Sequence, residues 1–347
     1  MVIDNLFNFS RILILAGISF WLAIFLTPAL THFLYKYKLG KKVWRENAPI
    51  FAKLHQHKEG TPTMGGILIW GTTLIVIIVF WLLAQIWPQT FNQLNFLTRK
   101  ETILPLGVLI IAAIVGLVDD LLGIWGQKKR GLRMWHRLFL IYPAIAGFGA
   151  WWFYSKLDWD VIQIPFYGIL HIGWWYITLF IFTIVATAFS VNETDGLDGL
   201  AGGVLAIAFA SYGVIAFIQG KIDLAVFCGV IGGALLAFLW FNIHPARFFM
   251  GDTGSMSLGV CLGVIAMLTN AFLLLPLIGF ILVIESGSVL LQLSSKKLRH
   301  GKKIFLSSPL HHHFQAKGWP ETKVTQRFWI IAGVMATIGL AIGLLGL

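Results

Sequence analysis

Ten long apolar stretches run along the chain, near residues 12–33, 64–87, 102–119, 135–154, 173–191, 200–219, 222–241, 255–269, 271–293 and 327–346. A helix needs about 20 apolar residues to cross the hydrocarbon core of a bilayer. Runs such as Ile75–Phe80 and Val108–Val115 are apolar throughout, so they lack the alternation of a β-barrel strand. The pattern predicts an all-α integral membrane protein of ten transmembrane helices, one domain over residues 1–347, with only irregular loops between spans. The stretch at 255–269 is short and is expected to extend into the loop before it. The first stretch is read as a span rather than a cleaved leader, because no small-residue cleavage site follows it.

Composition agrees with that pattern. The chain is 58% hydrophobic and 12% charged, against about 25% charged for soluble domains. Cys228 and Cys261 fall inside predicted spans, where apolar packing explains them. The net charge is +11, and its distribution carries more than its size. If the loops alternate sides, 21 of the 26 Lys and Arg fall on one side. The positive-inside rule makes that side cytoplasmic and leaves both termini outside. The basic excess is assigned to topology and anionic membrane lipid rather than to nucleic acid. The same face also suits a polyanionic substrate.

Topology does not explain the acids. Asp119, Asp120, Asp195, Asp198 and Asp252 all sit at the ends of spans on the basic side. Carboxylates at a membrane border are costly unless solvated, paired or metal-bound. Asp119 and Asp120 end a span in GLVDD, where adjacent charges favour a shared proton or a nearby cation. The segment NETDGLDG, residues 192–199, brings Asn192, Asp195 and Asp198; the two Asp share a face if the turn is helical. FMGDTGS, residues 249–255, places Asp252 between two glycines where a helix begins. Free N–H groups there suit a phosphate, and a neighbouring carboxylate suits Mg²⁺. TPTMGG, residues 61–66, follows Lys58 on the same side. The run His311, His312 and His313 is a poor zinc site, since adjacent side chains diverge; phosphate or uridine contacts fit it better. Neither a P-loop GxxxxGK[ST] nor an HExxH pair occurs. Acids, glycines and bases on one membrane face point to metal-assisted phosphoryl chemistry.

TPTMGG, GLVDD, NETDGLDGLAGG, FMGDTGS and PLHHHFQAKGWPE occur in that order across nearly the whole chain. Together they resemble the polyprenyl-phosphate N-acetylhexosamine-1-phosphate transferase superfamily, and within it the members that act on a muramoyl-pentapeptide donor. The resemblance implies ten helices in a bacterial cytoplasmic membrane, an active site on the cytoplasmic face, and a homodimer. It implies that undecaprenyl phosphate attacks the sugar-linked phosphate of UDP-N-acetylmuramoyl-pentapeptide, releasing UMP and forming lipid I, with Mg²⁺ required. It further implies that Asp119 acts on the attacking phosphate as base or as assistant to a nucleophile, with Asp120 its neighbour in the catalytic set. Asp252 would hold the metal. Asn192, Asp195 and Asp198 would lie beside the nucleotide sugar and Phe249 would stack on uracil. Lys58, Thr63, Asn242 and His311 to His313 would line the same cleft. Three positions depart from the usual pattern. Gly123 stands where many relatives carry Lys, Glu193 stands within NETDG, and Gln315 follows HHHF. Lys128, Lys129, Arg130, Arg133 and Arg137 are the candidates to replace the missing cation.

Two other readings compete. One uses UDP-N-acetylglucosamine as donor; relatives of that kind usually lack the KGWPE continuation. The other is a transporter, whose charges would line a path at mid-membrane; here Glu285 is the acid inside a predicted span. The charge asymmetry makes a direct prediction. Cysteines placed at His57 and His300 should react with an impermeant reagent only from the cytoplasm, and one at Lys156 only from outside. Labelling at His57 in intact cells would reverse the orientation.

Overall fold

The structure, a computed structural model, describes residues 2–40, 58–99, 101–125, 132, 134–156 and 159–346. Its main helices are α1 (Val2–Lys36), α2 (Gly66–Ile86), α3 (Ile103–Trp125), α4 (Tyr142–Lys156), α5 (Trp175–Thr194), α6 (Leu200–Ile218), α7 (Ile222–Asn242), α8 (Gly251–Leu268), α9 (Phe280–Leu298), α10 (Leu310–Ala316) and α11 (Glu321–Gly346). Among the described residues, eight helices are long and apolar enough to cross a membrane: α1 from Asn5, α2, α3, α5, α6, α7, α8 and α11. A ninth results if Phe272–Ile278 and α9 count as one span, although the two meet at 84°. The apolar stretch at 271–293 is therefore not one straight rod. Its break falls at Gly279, after a short turn with Pro at its start. The stretch at 135–154 is helical, but Arg137–Ile141 is a π-helical turn leading into α4. The short stretch at 255–269 does begin earlier, at Gly251.

One loop is not irregular. Val161–Ile164 (β1) and Gly168–His171 (β2) form an antiparallel hairpin, pairing Val161 with His171 and Ile164 with Gly168. The Tyr167 N–H closes the turn on the Ile164 carbonyl at 3.1 Å, with Pro165 and Phe166 at its centre. Phe166 has φ +66°, a position where a type II turn ordinarily selects glycine. Strands of four residues beside a proline leave little periodicity to detect. The hairpin is tied to the bundle by Gln163 N–H, which donates to the Asn270 side chain at 3.1 Å.

Burial follows lipid rather than water. Ile14, Trp21 and Phe25 on α1 and Ile330, Val334 and Ile338 on α11 are exposed apolar stripes at helical spacing, as expected of surfaces that face acyl chains. At the other extreme, all of α8 is buried, enclosed by α2, α3, α5 and α6. Its sequence explains that position. Gly254, Gly259 and Gly263 let neighbouring backbones approach, and small residues are the usual contact surface where helices pack without a hydrophobic drive. Buried hydroxyls bond back into their own helices, as Ser257 does to the Thr253 carbonyl at 2.6 Å and Thr187 to that of Thr183 at 2.9 Å.

The contact of α1 with α7 has the same character. A Cβ on Gly233 would lie 2.1 Å from the Ala16 carbonyl oxygen, and Ser19 donates to the Val230 carbonyl at 2.7 Å. Gly233→Val should therefore destabilise the protein in detergent by about 1–3 kcal/mol or more. At Gly232 an added methyl group would meet no atom within 4 Å, so alanine there should be accepted without loss. A thermal melt reads both, and an unchanged midpoint for Gly233→Val would contradict this packing.

Candidate active site

A cleft of about 620 Å³ opens at one end of the bundle, lined among others by Lys58, Asn192, Asp195, Phe249, Asp252 and His311. Its floor depends on a backbone contact. A Cβ on Gly116 of α3 would lie 2.3 Å from the Asp252 carbonyl oxygen, so α3 touches the first turn of α8 directly. One turn further along α3 come Asp119 and Asp120, both fully buried. Their side chains diverge. Asp120 Oδ2 accepts the Thr253 N–H at 3.0 Å, a carboxylate at a helix N-terminus. Asp119 accepts the Leu132 N–H and pairs with the Arg137 guanidinium.

Arg137 also reaches Asp252, with Nη1 3.0 Å from Oδ1, and donates to Asn192 Oδ1 at 3.2 Å. Asn192 Nδ2 in turn donates to Asp252 Oδ1 at 2.7 Å and to Ser255 Oγ at 3.0 Å. Arg137 is one of the five bases considered as replacements for the cation missing at Gly123. The other four, Lys128, Lys129, Arg130 and Arg133, lie outside the described residues, as does His57. Asp119, Asp252 and the Asn192 side-chain carbonyl thus present oxygen donors around a seated cation. That donor set suits a hard divalent ion.

Two expectations about this corner need correction. The N–H groups opening α8 are not all left for a phosphate, because Gly251 N–H donates to Asp195 Oδ2 at 3.2 Å and Thr253 N–H to Asp120. Asp195 and Asp198 do not share a helical face. α5 ends at Thr194, and the turn that follows sends Asp195 toward α8 and Asp198 toward Lys58.

Lys58 is the second cation of the site, and it is buried. Its Nζ lies 2.7 Å from Asp198 Oδ1, bonds Glu321 Oε1, and sits 5.7 Å from the centre of the Phe249 ring. Asp198 Oδ2 further meets His244 Nδ1 at 2.9 Å and the Ala246 N–H at 3.1 Å. Burial alone would push the Asp198 carboxyl up, but the Lys58 charge and these hydrogen bonds hold it below the usual carboxylate range. The trio Asp198, His244 and Glu321 has metal-like spacing, yet the Lys58 ammonium already bonds two of its three members.

The TPTMGG segment is stitched to FMGD by three backbone bonds: Phe249 N–H to the Pro62 carbonyl at 2.8 Å, Gly65 N–H to that of Phe249 at 2.7 Å, and Gly66 N–H to that of Met250 at 2.9 Å. This explains its two glycines. A Cβ on Gly66 would lie 2.3 Å from Gly254 Cα. Thr63 lines the cleft beside Gly251. Asn242 also lines it and joins two motifs, accepting the Gly199 N–H at 3.0 Å and donating to the Phe248 carbonyl at 2.8 Å.

The three histidines separate. His311 and His312 line the cleft, and His312 Nδ1 is 2.9 Å from Gln315 Oε1. His313 turns away, accepting the Leu306 N–H at 3.2 Å. His311 is fully buried against Glu285 of α9, with Nδ1 2.8 Å from Oε2. Burial, with the Lys58 charge second, pushes its imidazole down to about 3, so the ring is neutral at physiological pH. Of the expected set, Asp119, Asp120, Asp198 and His313 stand behind or beside the cleft wall. Sequence alone assigns no role in the site to Glu321, which closes the KGWPE run, or to Glu285, the acid inside a predicted span.

Residues 102–270 match the model of glycosyl transferase family 4, and residues 58–69 match phospho-N-acetylmuramoyl-pentapeptide-transferase signature 1. A phospho-N-acetylmuramoyl-pentapeptide-transferase from Chloroflexus aggregans is 37% identical over 97% of this chain and 91% of its own. The protein of that name from a Geobacillus species is 40% identical over 96% and 98%, and that from Thermodesulfovibrio yellowstonii 37% over 93% and 90%. With that identity sustained from end to end, the chain belongs to the phospho-N-acetylmuramoyl-pentapeptide-transferase family.

Proposed function

We propose that the chain transfers phospho-N-acetylmuramoyl-pentapeptide from UDP-N-acetylmuramoyl-pentapeptide to undecaprenyl phosphate, giving lipid I and UMP. The observation that carries this reading is convergence. Five segments spread from Lys58 to Glu321 meet around one cleft at one end of an apolar bundle, where a lipid phosphate and a water-soluble nucleotide can both arrive. In this reading the chain crosses a bacterial cytoplasmic membrane ten times, counting the bent pair and the run ending in α4, with both termini outside. The cleft then opens to the cytoplasm, and the protein works as a homodimer.

The reaction brings two anions together. An oxygen of undecaprenyl phosphate attacks the sugar-linked phosphorus, the bond from that phosphorus to the UMP oxygen breaks, and UMP leaves with the bonding electrons. The lipid phosphate is largely ionised near pH 7, its second pKa being about 6. Asp119 therefore serves to orient it and to take any remaining proton. Asp252, with Asp119 and Asn192, supplies the oxygen ligands that would hold Mg²⁺. When bound, the metal neutralises phosphate charge as the two groups meet. Asp120 acts on the site through α8, by fixing the turn that carries Asp252. Lys58, held by Asp198 and Glu321, presents positive charge beside Phe249, the ring placed for uracil, and Asp195, Asn242 and the cleft-lining histidines shape the rest of the donor pocket.

Three outcomes are expected. Purified protein with Mg²⁺ and undecaprenyl phosphate should release UMP from UDP-N-acetylmuramoyl-pentapeptide far faster than from UDP-N-acetylglucosamine; equal or reversed rates would transfer the assignment to the glucosamine branch. Asp252→Asn and Asp119→Asn should each insert normally yet lose about 10²–10³ in rate, as removal of a preorganised electrostatic group commonly does. EDTA should abolish turnover and added Mg²⁺ restore it. Near-normal turnover of Asp252→Asn at limiting Mg²⁺ would remove Asp252 from the metal site.

A further inference from the structure

Glu285 is an acid in the interior of a membrane helix, fully buried, and the phosphotransfer described above does not use it. Such a residue is costly unless it has a defined partner. Its partner is the first histidine of α10. Oε1 accepts the His311 backbone N–H at 3.2 Å; Oε2 shares that N–H at 3.4 Å and lies 2.8 Å from Nδ1. The backbone N–H is a fixed donor to the carboxyl group, and Oε2 is the oxygen that meets the ring. The Oε2 to Nδ1 contact requires one proton between the groups.

The opposite side of the imidazole is open. His311 Nε2 is buried and has no hydrogen-bond partner among the described residues. It packs against Gly196, where a Cβ would come within 2.3 Å of it. Gly196 and its neighbours Asp195 and Leu197 line the cleft. If the bridging proton were the only one, the pair would carry a negative charge in a fully buried setting. The charged group that acts on His311 is Lys58, and Lys58 is bonded to Asp198 and Glu321. His312, its ring 4.0 Å away, is bonded to Gln315. An uncompensated buried charge costs far more than a neutral hydrogen-bonded pair. A second proton on Nε2 makes the pair neutral and turns Nε2 into a donor. A buried donor without an acceptor carries its full desolvation penalty, which an acceptor on a ligand would relieve.

We propose that Glu285 is a positioning residue for the donor substrate: with His311 it forms a net-neutral pair holding two protons, which fixes the ring and presents Nε2–H to an acceptor oxygen of the nucleotide sugar. This rests on the reading of the cleft as the UDP-sugar site. Glutamine at 285 can reproduce the arrangement, its carbonyl accepting the His311 backbone N–H and its amide donating to Nδ1. Leucine can do neither.

The test measures KM for UDP-N-acetylmuramoyl-pentapeptide and kcat, by UMP release, in Glu285→Leu and Glu285→Gln. Leu should raise KM about tenfold or more with a smaller change in kcat, while Gln should stay within about threefold of wild type. In a His311→Phe background Glu285→Leu should add nothing further, because its effect runs through His311. A Gln variant as impaired as Leu overturns the neutral pair, and a Leu penalty that persists in the His311→Phe background overturns the positioning role. If the Leu variant does not fold, Glu285→Gln decides alone, and a rise of about tenfold in its KM overturns the proposal. A wild type that releases no UMP from this donor overturns the functional reading and this inference with it; a working wild type with an impaired Gln variant overturns this inference alone.

Discussion

The site depends on the direct backbone contact between α3 and the first turn of α8 at Gly116. Without a side chain there, the two helices close until a methyl group would overlap the Asp252 carbonyl. That approach brings Asp120 within reach of the Thr253 N–H and sets Asp119 near Asp252. On the other flank of the same turn, Gly66 of α2 meets Gly254. Asp252 is thereby fixed by backbone on two sides. In a protein interior packed as densely as a crystal, such contacts leave little freedom, so the Asp252 carboxylate comes preorganised rather than recruited.

Charge compensation is the second organising constraint. The buried acids around the cleft each meet a cation, a helix N-terminus or a histidine: Asp119 and Asp252 meet Arg137, Asp198 and Glu321 meet Lys58, Asp120 meets α8, and Glu285 meets His311. Buried ion pairs are weak contributors to stability, because desolvation offsets much of their attraction. Their retention at one end of an apolar bundle makes more sense as function. Arg137 in particular joins the two carboxylates, which would otherwise repel one another and an incoming phosphate.

Much of this was legible in the sequence, for physical reasons that can be named. Apolar stretches reveal helices because lipid enforces length and composition together. Acids at the membrane border stand out because nothing in topology calls for them, and the cleft does gather Asn192, Asp195 and Asp252 with Lys58 and Phe249. Other features were hidden. The 84° break before α9 lies inside a continuous apolar run, and hydropathy is blind to direction. The hairpin at 161–171 is too short to show a period. Arg137 stood among five bases of equal apparent merit, and its pairing with Asp119 and Asp252 from a π-helical turn is not written in any local pattern. Glu321 and Glu285 gain their meaning from partners 263 and 26 residues away in the chain, respectively, which no local pattern encodes.

A cleft that moves a sugar together with its phosphate, rather than the sugar alone, must carry the sugar-linked phosphorus into the lipid. The most direct measurement follows the phosphorus. Donor labelled with ³²P at the sugar-linked phosphate would be incubated with the protein, Mg²⁺ and undecaprenyl phosphate, and the lipid and aqueous fractions counted. Label should enter the lipid fraction in proportion to the unlabelled UMP released. Label remaining in the aqueous phase as UDP, with sugar appearing in the lipid, would contradict transfer of the phosphosugar.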